Sequence, residues 1–192
     1  PEKPAVTPEQ EKPTVPETSV RFADLGSQNW AEDAIISLAD EGIIKGTSEN
    51  TFSPADNITR ADFAVLLVRA FKIESDNTEN FADVLDSDYF AKELAIARNT
   101  GIVNGIGDNK YAPRNTITRQ DMMVIVYRTL STLGVELKVA DVSYDDFADV
   151  ADYAKDAVKA LLDDKITTSV PATLLKTHPD VILICDKEAY AL

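Results

Sequence analysis

Apolar residues recur along this chain with a helical period, and they do so in pairs of segments. The first member of a pair is one-sided. Ala31, Ala34, Ile35 and Leu38 fall at i, i+3, i+4 and i+7, a single stripe along a helix. The second member is apolar nearly all round: Phe63, Val65, Leu66 and Leu67, then Met122, Met123, Ile125 and Val126, then Val181, Ile182, Leu183 and Ile184. A helix with no polar face must be covered on every side. The pattern therefore predicts an all-α fold: three buried inner helices, each joined by a loop to a one-sided outer helix.

The landmarks between these segments repeat as well. Phe22-Ala23-Asp24, Phe81-Ala82-Asp83 and Phe147-Ala148-Asp149 open three units. Trp30 and Tyr89 stand six residues after the first two aspartates, and Tyr153 takes their part after a short deletion. Gly42 and Gly101 follow the first two outer helices, where a left-handed cap is expected. Lys165 takes that place in the third unit. Loops from Gly46 and Gly105 lead to Phe52-Ser53-Pro54 and Tyr111-Ala112-Pro113, whose aromatics should plug the core beneath the loop. Thr59 with Asp62, and Thr118 with Asp121, have the spacing of a capping box, and Thr177 with Asp180 restores it in the third unit. Arg69, Arg128 and Lys187 stand nine residues after Arg60, Arg119 and His178, and are expected near the helix C-termini, where a cation is favoured.

These landmarks divide the chain into a linker at 1–20 and repeats at 21–79, 80–140 and 141–192, the last degenerate. One repeat is too small to bury its inner helix alone, so 21–192 should fold as one pseudo-threefold unit around a central three-helix bundle. The linker alternates proline with Glu, Thr and Lys, a composition that favours an extended spacer. It implies a functional region upstream, and the opening at Pro1, with no leader-like apolar run, reads as a piece of a longer polypeptide.

Arg60 and Arg119 open two of the inner helices. That end carries roughly half a positive charge and prefers acids. Either each arginine meets an anion there, or each pairs with an acid of the neighbouring lobe. The formal charge of −14 supplies such acids and excludes nucleic acid and anionic lipid as partners. An anionic ligand would need a locally basic pocket.

Catalysis finds little support. His178 is the only histidine, Cys185 lies in an apolar run as a buried, inert thiol, and neither a phosphate loop nor zinc spacing is present. The stretch from Asp141 to Asp146 lacks the central glycine and terminal glutamate of a calcium loop. No cofactor or metal is expected. No apolar run is long enough for membrane insertion.

The ordered set is Phe-x-Asp, aromatic-Ala, Gly-Ile-x-x-Gly, aromatic-x-Pro and Ile-Thr-Arg-x-acid, complete in two repeats and partial in the third. It resembles the S-layer homology domain, a triplicated module of bacterial cell walls. The resemblance implies a three-pronged helical spindle and non-covalent anchoring of a surface protein on the outside of the cell. It implies as partner a secondary cell-wall polysaccharide, often with pyruvylated N-acetylmannosamine, held in grooves between lobes. Its motif arginines correspond to Arg60 and Arg119, with Asp62 and Asp121 where the family has Glu. Gly46 and Gly105 are then turns whose amides approach the ligand, beside exposed helix N-terminal amides. Trp30 and Tyr89 could stack on sugar, and Asp24 and Asp83 could accept from its hydroxyls. Against these roles stand core packing for the two aromatics, turn capping for the two aspartates and plain turn geometry for the glycines. Thr177-His178-Pro179-Asp180 lacks the arginine, so a third site of standard form is not expected. The alternative function is a protein-interaction or self-association module that binds no glycan.

Overall fold

The computed structural model describes residues 22–27, 29–139 and 145–162. The linker, Cys185 and the whole inner segment of the third repeat, from Thr177 to Lys187, lie outside the described residues. So do Lys165 and most of the stretch from Asp141. Among the described residues five α-helices appear: α1 (Asn29–Asp40), α2 (Arg60–Ala70), α3 (Ala91–Asn99), α4 (Arg119–Thr132) and α5 (Lys155–Leu162). Among the described residues there is no β-strand, only isolated bridges such as that between Thr59 and Thr116. The fold is all-α, as the periodicity predicts.

Helix ends follow the local chemistry. Thr59 Oγ1 accepts from the Asp62 amide and donates to its Oδ2 at 2.6 Å, and Thr118 Oγ1 accepts from the Asp121 amide at 3.2 Å. The threonine thus serves an otherwise orphaned donor in the first turn of each inner helix. At the other end Gly42 and Gly101 take φ of 72° and 79°. There the Ile43 amide reaches back to Leu38 and the Val103 amide to Ala97, closing left-handed caps. Arg69 lies in the last turn of α2, as expected. Arg128 does not have that position, because α4 runs on to Thr132 and leaves it a full turn inside.

The packing is offset from the sequence repeat. Both described inner helices pack on the outer helix of the next unit, α2 on α3 and α4 on α5, and α2 and α4 meet each other. The largest cluster joins Ala61, Ala64, Val65 and Val68 of α2 to Leu94, Ile96 and Ala97 of α3, with Phe81, Phe90 and Tyr111. Leu66, on another side of α2, meets the first-lobe cluster of Phe22, Leu25, Ile35 and Leu38. Val124 of α4 packs with Ala154, Ala157 and Val158. Contact on several sides is what an all-round apolar helix requires.

Two aromatics depart from the expected core role. Trp30 and Tyr89 are exposed, at 56% and 69%. Next to Tyr89, Phe90 takes the core position at 1% exposure, and the Tyr89 ring meets it edge-on with centroids 4.9 Å apart. The phenol stays outside because its hydroxyl donates to Asp62 at 2.6 Å.

Candidate functional site between the repeats

The two Phe-x-Asp motifs build the loops. The carboxylate of Asp24 accepts from the amides of Phe52 and Ser53, and that of Asp83 from the amides of Tyr111 and Ala112, all at 2.7–3.2 Å. Ser53 and Ala112 have φ of 61° and 56°, the left-handed region that side chains disfavour. Each aspartate therefore holds its aromatic-x-Pro turn in a strained conformation. The two amides hold the Asp24 carboxyl below its ordinary range, Phe52 contributing most. Of the two roles expected for these aspartates, the geometry displays turn capping.

The glycines answer to close approach. A Cβ on Gly46 would lie 2.3 Å from the Thr51 carbonyl oxygen and 2.5 Å from the Phe22 ring; on Gly105 it would lie 2.5 Å from the Lys110 carbonyl oxygen. Both turns fold down onto the motif phenylalanine, so no side chain fits.

Tyr111 is fully buried beneath the second loop, its ring stacked 5.2 Å from Phe81. Burial pushes its phenol up to about 12. Above this ring lies Arg60. Its guanidinium carbon is 4.7 Å from the Tyr111 centroid, Nε donates to the Tyr111 carbonyl at 3.1 Å, and Nη1 donates to Asp121 Oδ2 at 2.8 Å. The ion pair is largely shielded, with 13% and 20% of the two side chains exposed. Thus Arg60 does meet an acid of the neighbouring lobe, the acid of the next capping box. Asp121 is shared, since the Tyr153 hydroxyl donates to its Oδ1 at 2.7 Å. That bond, more than burial, raises the Tyr153 phenol. Tyr89 and Asp62 form the same contact one repeat earlier, which bears out the register given to Tyr153.

The N-terminus of α2 is not open to a ligand, contrary to expectation. The Arg60 amide donates to the Asn115 carbonyl at 2.8 Å and the Ala61 amide to the Pro113 carbonyl at 3.0 Å. The second loop folds across the helix end and caps it with main-chain oxygen. Arg119, the matching arginine of α4, is exposed, and its side chain makes no hydrogen bond or ion pair among the described residues. The counterpart of Asp121 in its seam is Asp180, outside those residues.

These groups surround a groove of about 310 Å³, within the size range of small-ligand pockets. Three repeats contribute: Arg60 from the first, Gly105, Tyr111, Asp121 and Arg128 from the second, Tyr153 from the third. Of the expected site residues the groove gathers Arg60 and Gly105; Trp30, Asp24, Asp83, Gly46, Tyr89 and Arg119 lie elsewhere. Arg128, Asp121 and Tyr153 join its lining unannounced. Their signal in the sequence was the repeat itself, which placed all three in register with partners across a seam. Burial holds the Arg128 guanidinium below its ordinary range, although the charges of Asp121 and Tyr153 oppose this. With its side-chain amide turned so that oxygen faces the guanidinium, Asn104 accepts from Arg128 Nη2 at 3.2 Å.

No group of side chains that could hold a metal occurs among the described residues. None of the described helices is long and apolar enough to cross a membrane.

Comparison with known proteins agrees with the repeat pattern. The family model for the S-layer homology domain matches residues 21–64 and 80–123. An endoglucanase of Bacillus sp. (strain KSM-635) is 34% identical over 141 residues, covering 72% of this chain and 15% of the relative. Exoglucanase XynX of Acetivibrio thermocellus is 33% identical over 144 residues, 73% of this chain and 13% of the relative. The surface-layer 125 kDa protein of Lysinibacillus sphaericus is 34% identical over 128 residues, 64% of this chain and 11% of the relative. The chain spans only a small part of each, and the glucanase names describe those whole proteins. With two repeats matched and S-layer proteins among its relatives, the chain belongs to the S-layer homology family, the non-catalytic anchoring modules of the bacterial cell surface.

Proposed function

We propose that the chain anchors a longer polypeptide by binding an acidic secondary cell-wall polysaccharide in the groove between its repeats. The ligand group is a carboxylate, as in pyruvylated N-acetylmannosamine. The observation that carries this reading is the local charge of the groove. Two guanidiniums, Arg60 and Arg128, face one carboxylate, Asp121, inside a chain whose formal charge is −14. A planar guanidinium fork matches a carboxylate and stays charged at any physiological pH. Among the described residues Arg60 Nη2 has no hydrogen-bond partner, while Nε and Nη1 are held by Tyr111 and Asp121. The arginine is thus oriented before any ligand arrives, which lowers the ordering cost of binding. Arg119 is the corresponding contact in the seam toward the third repeat. The linker at 1–20 tethers the region upstream.

The test is titration calorimetry of the chain against purified wall polymer, with its pyruvyl groups intact and removed. Binding is expected only to the pyruvylated form, and Arg60→Ala with Arg119→Ala should abolish it while the helical signal remains. Equal affinity for both forms would point instead to a partner recognised without the acid. Retained affinity in the folded double variant would remove the arginines from the site.

A further inference from the structure

The two seams between repeats follow one plan. Tyr89 donates to Asp62 and Tyr153 donates to Asp121, so α3 and α5 sit in equivalent register on α2 and α4. Four residues beyond each tyrosine the register meets an inner-helix arginine. In the first seam that residue is Glu93, and its Oε1 takes Nε of Arg69 at 2.8 Å and Nη2 at 2.7 Å. One Glu93 oxygen thereby spans the Nε/Nη2 edge of the Arg69 fork. In the second seam the residue is Ala157, which is 3% exposed and ends at its methyl group. The matching arginine, Arg128, has no carboxylate within ion-pair distance among the described residues, and the amide of Asn104 is its only polar side-chain contact there. Both oxygens of Asp121, the nearest acid of the groove, are already taken by Arg60 and Tyr153.

We infer that Arg128 is a second anion contact of the groove, left available because Ala157 replaces the acid that Glu93 supplies to Arg69. Arg60 and Arg128 then form a two-guanidinium clamp on one acidic group, with Asp121 as the spacer that orients Arg60. The seam that carries Glu93 has its second arginine internally neutralised and takes no part in such a clamp. This rests on the reading of the groove as an acidic-glycan site. A half-buried cation with no carboxylate in ion-pair contact among the described residues costs stability in the empty protein, and a bound anion recovers that cost, so the ligand is recognised by its charge.

The test titrates the full chain with a glycoside of pyruvylated N-acetylmannosamine and follows thermal melting of each variant. Arg128→Met keeps the apolar stem and removes the charge. It should weaken binding about 10- to 100-fold, the loss expected for one charge-assisted contact. Its melting temperature should hold or rise, whereas an arginine needed only for structure would lower it. The paired control R69M with E93Q should change affinity by less than about twofold, because those groups neutralise each other. Ala157→Glu restores the counter-acid and should weaken binding as Arg128→Met does, while Ala157→Gln, of the same size and no charge, should not. If A157E does not fold, R128M decides alone. Wild-type binding that Arg60→Met abolishes and Arg128→Met leaves intact would overturn the clamp and spare the glycan reading. Wild-type chain that fails to bind removes both.

Discussion

The seam between α2 and α3 and the seam between α4 and α5 share a tyrosine, an aspartate and an arginine in the same register, yet one is electrostatically closed and the other open. In the first, Arg69 and Glu93 are mutually satisfied, with 20% and 17% of their side chains exposed. In the second, Ala157 packs against Val124 and leaves Arg128 facing the groove. Repetition of a motif therefore does not repeat a site. One change of Glu to Ala moves an arginine from holding two helices together to offering a charge. At the head of α2 the second loop supplies the cap, through Asn115 and Pro113.

The comparison can be broken most severely at the loops both lobes share. Asp83→Ala should cost ~2–4 kcal/mol, because it orphans the amides of Tyr111 and Ala112 at a strained turn. Chemical denaturation measures the loss, and the groove above Tyr111 should fail with it. Glu93→Ala comes next, at about 1–3 kcal/mol, since it strands the Arg69 charge between two helices. Adding Arg69→Met should recover part of that stability, which a double-mutant cycle on thermal melts would detect. A Glu93→Ala change that costs nothing would mean the closed seam is not held by its ion pair. Tyr89→Phe and Tyr153→Phe should each cost roughly 0.5–1.5 kcal/mol through one lost hydrogen bond. Of the two, only Tyr153→Phe should also weaken glycan binding, by loosening Asp121.

The smallest effects lie in the pH dependence. Desolvation of the hydroxyl where it meets the seam, then Asp62, raises the Tyr89 phenol from 10.0 to about 12, although the residue as a whole is exposed. A raised folded pKa means that the phenol's contribution is complete below pH 10.0 and is lost as pH rises toward about 12. Tyr89→Phe should flatten that alkaline limb of the melting curve. The Asp24 carboxyl shifts the other way, below 3.8. The unfolded chain then binds the proton first, so this group's contribution is complete above its unfolded pKa and is lost as pH falls through the lower folded value. Asp24→Asn should flatten the acid limb.

Much of the fold was legible because its determinants are local. The capping threonines, the glycine helix ends and the aromatic-x-Pro turns each depend on residues a few positions apart, and each formed as its spacing required. The aspartates of Phe-x-Asp were legible as turn caps for a similar reason, since each serves the loop of its own repeat. Trp30 and Tyr89 were misread as core residues. Residue type favours burial of large aromatics, but in the second repeat the adjacent Phe90 filled the space. The exposed amides expected at α2 were misread because their partners come from a loop in the next repeat.

The sequence by itself determined an all-α, repeated, acidic chain with an arginine at the head of each of its first two inner helices. Period, caps and charge are properties of neighbours along the chain, and the chain states them directly. Only the tertiary structure decided that α2 and α4 each pack on the following repeat, that Arg60 shares Asp121 with Tyr153, and that Arg128 lacks the acid Arg69 keeps. Those facts depend on which side chains from distant segments come within hydrogen-bond reach. Coulomb attraction and desolvation act over a few ångströms of space, whatever the separation in sequence.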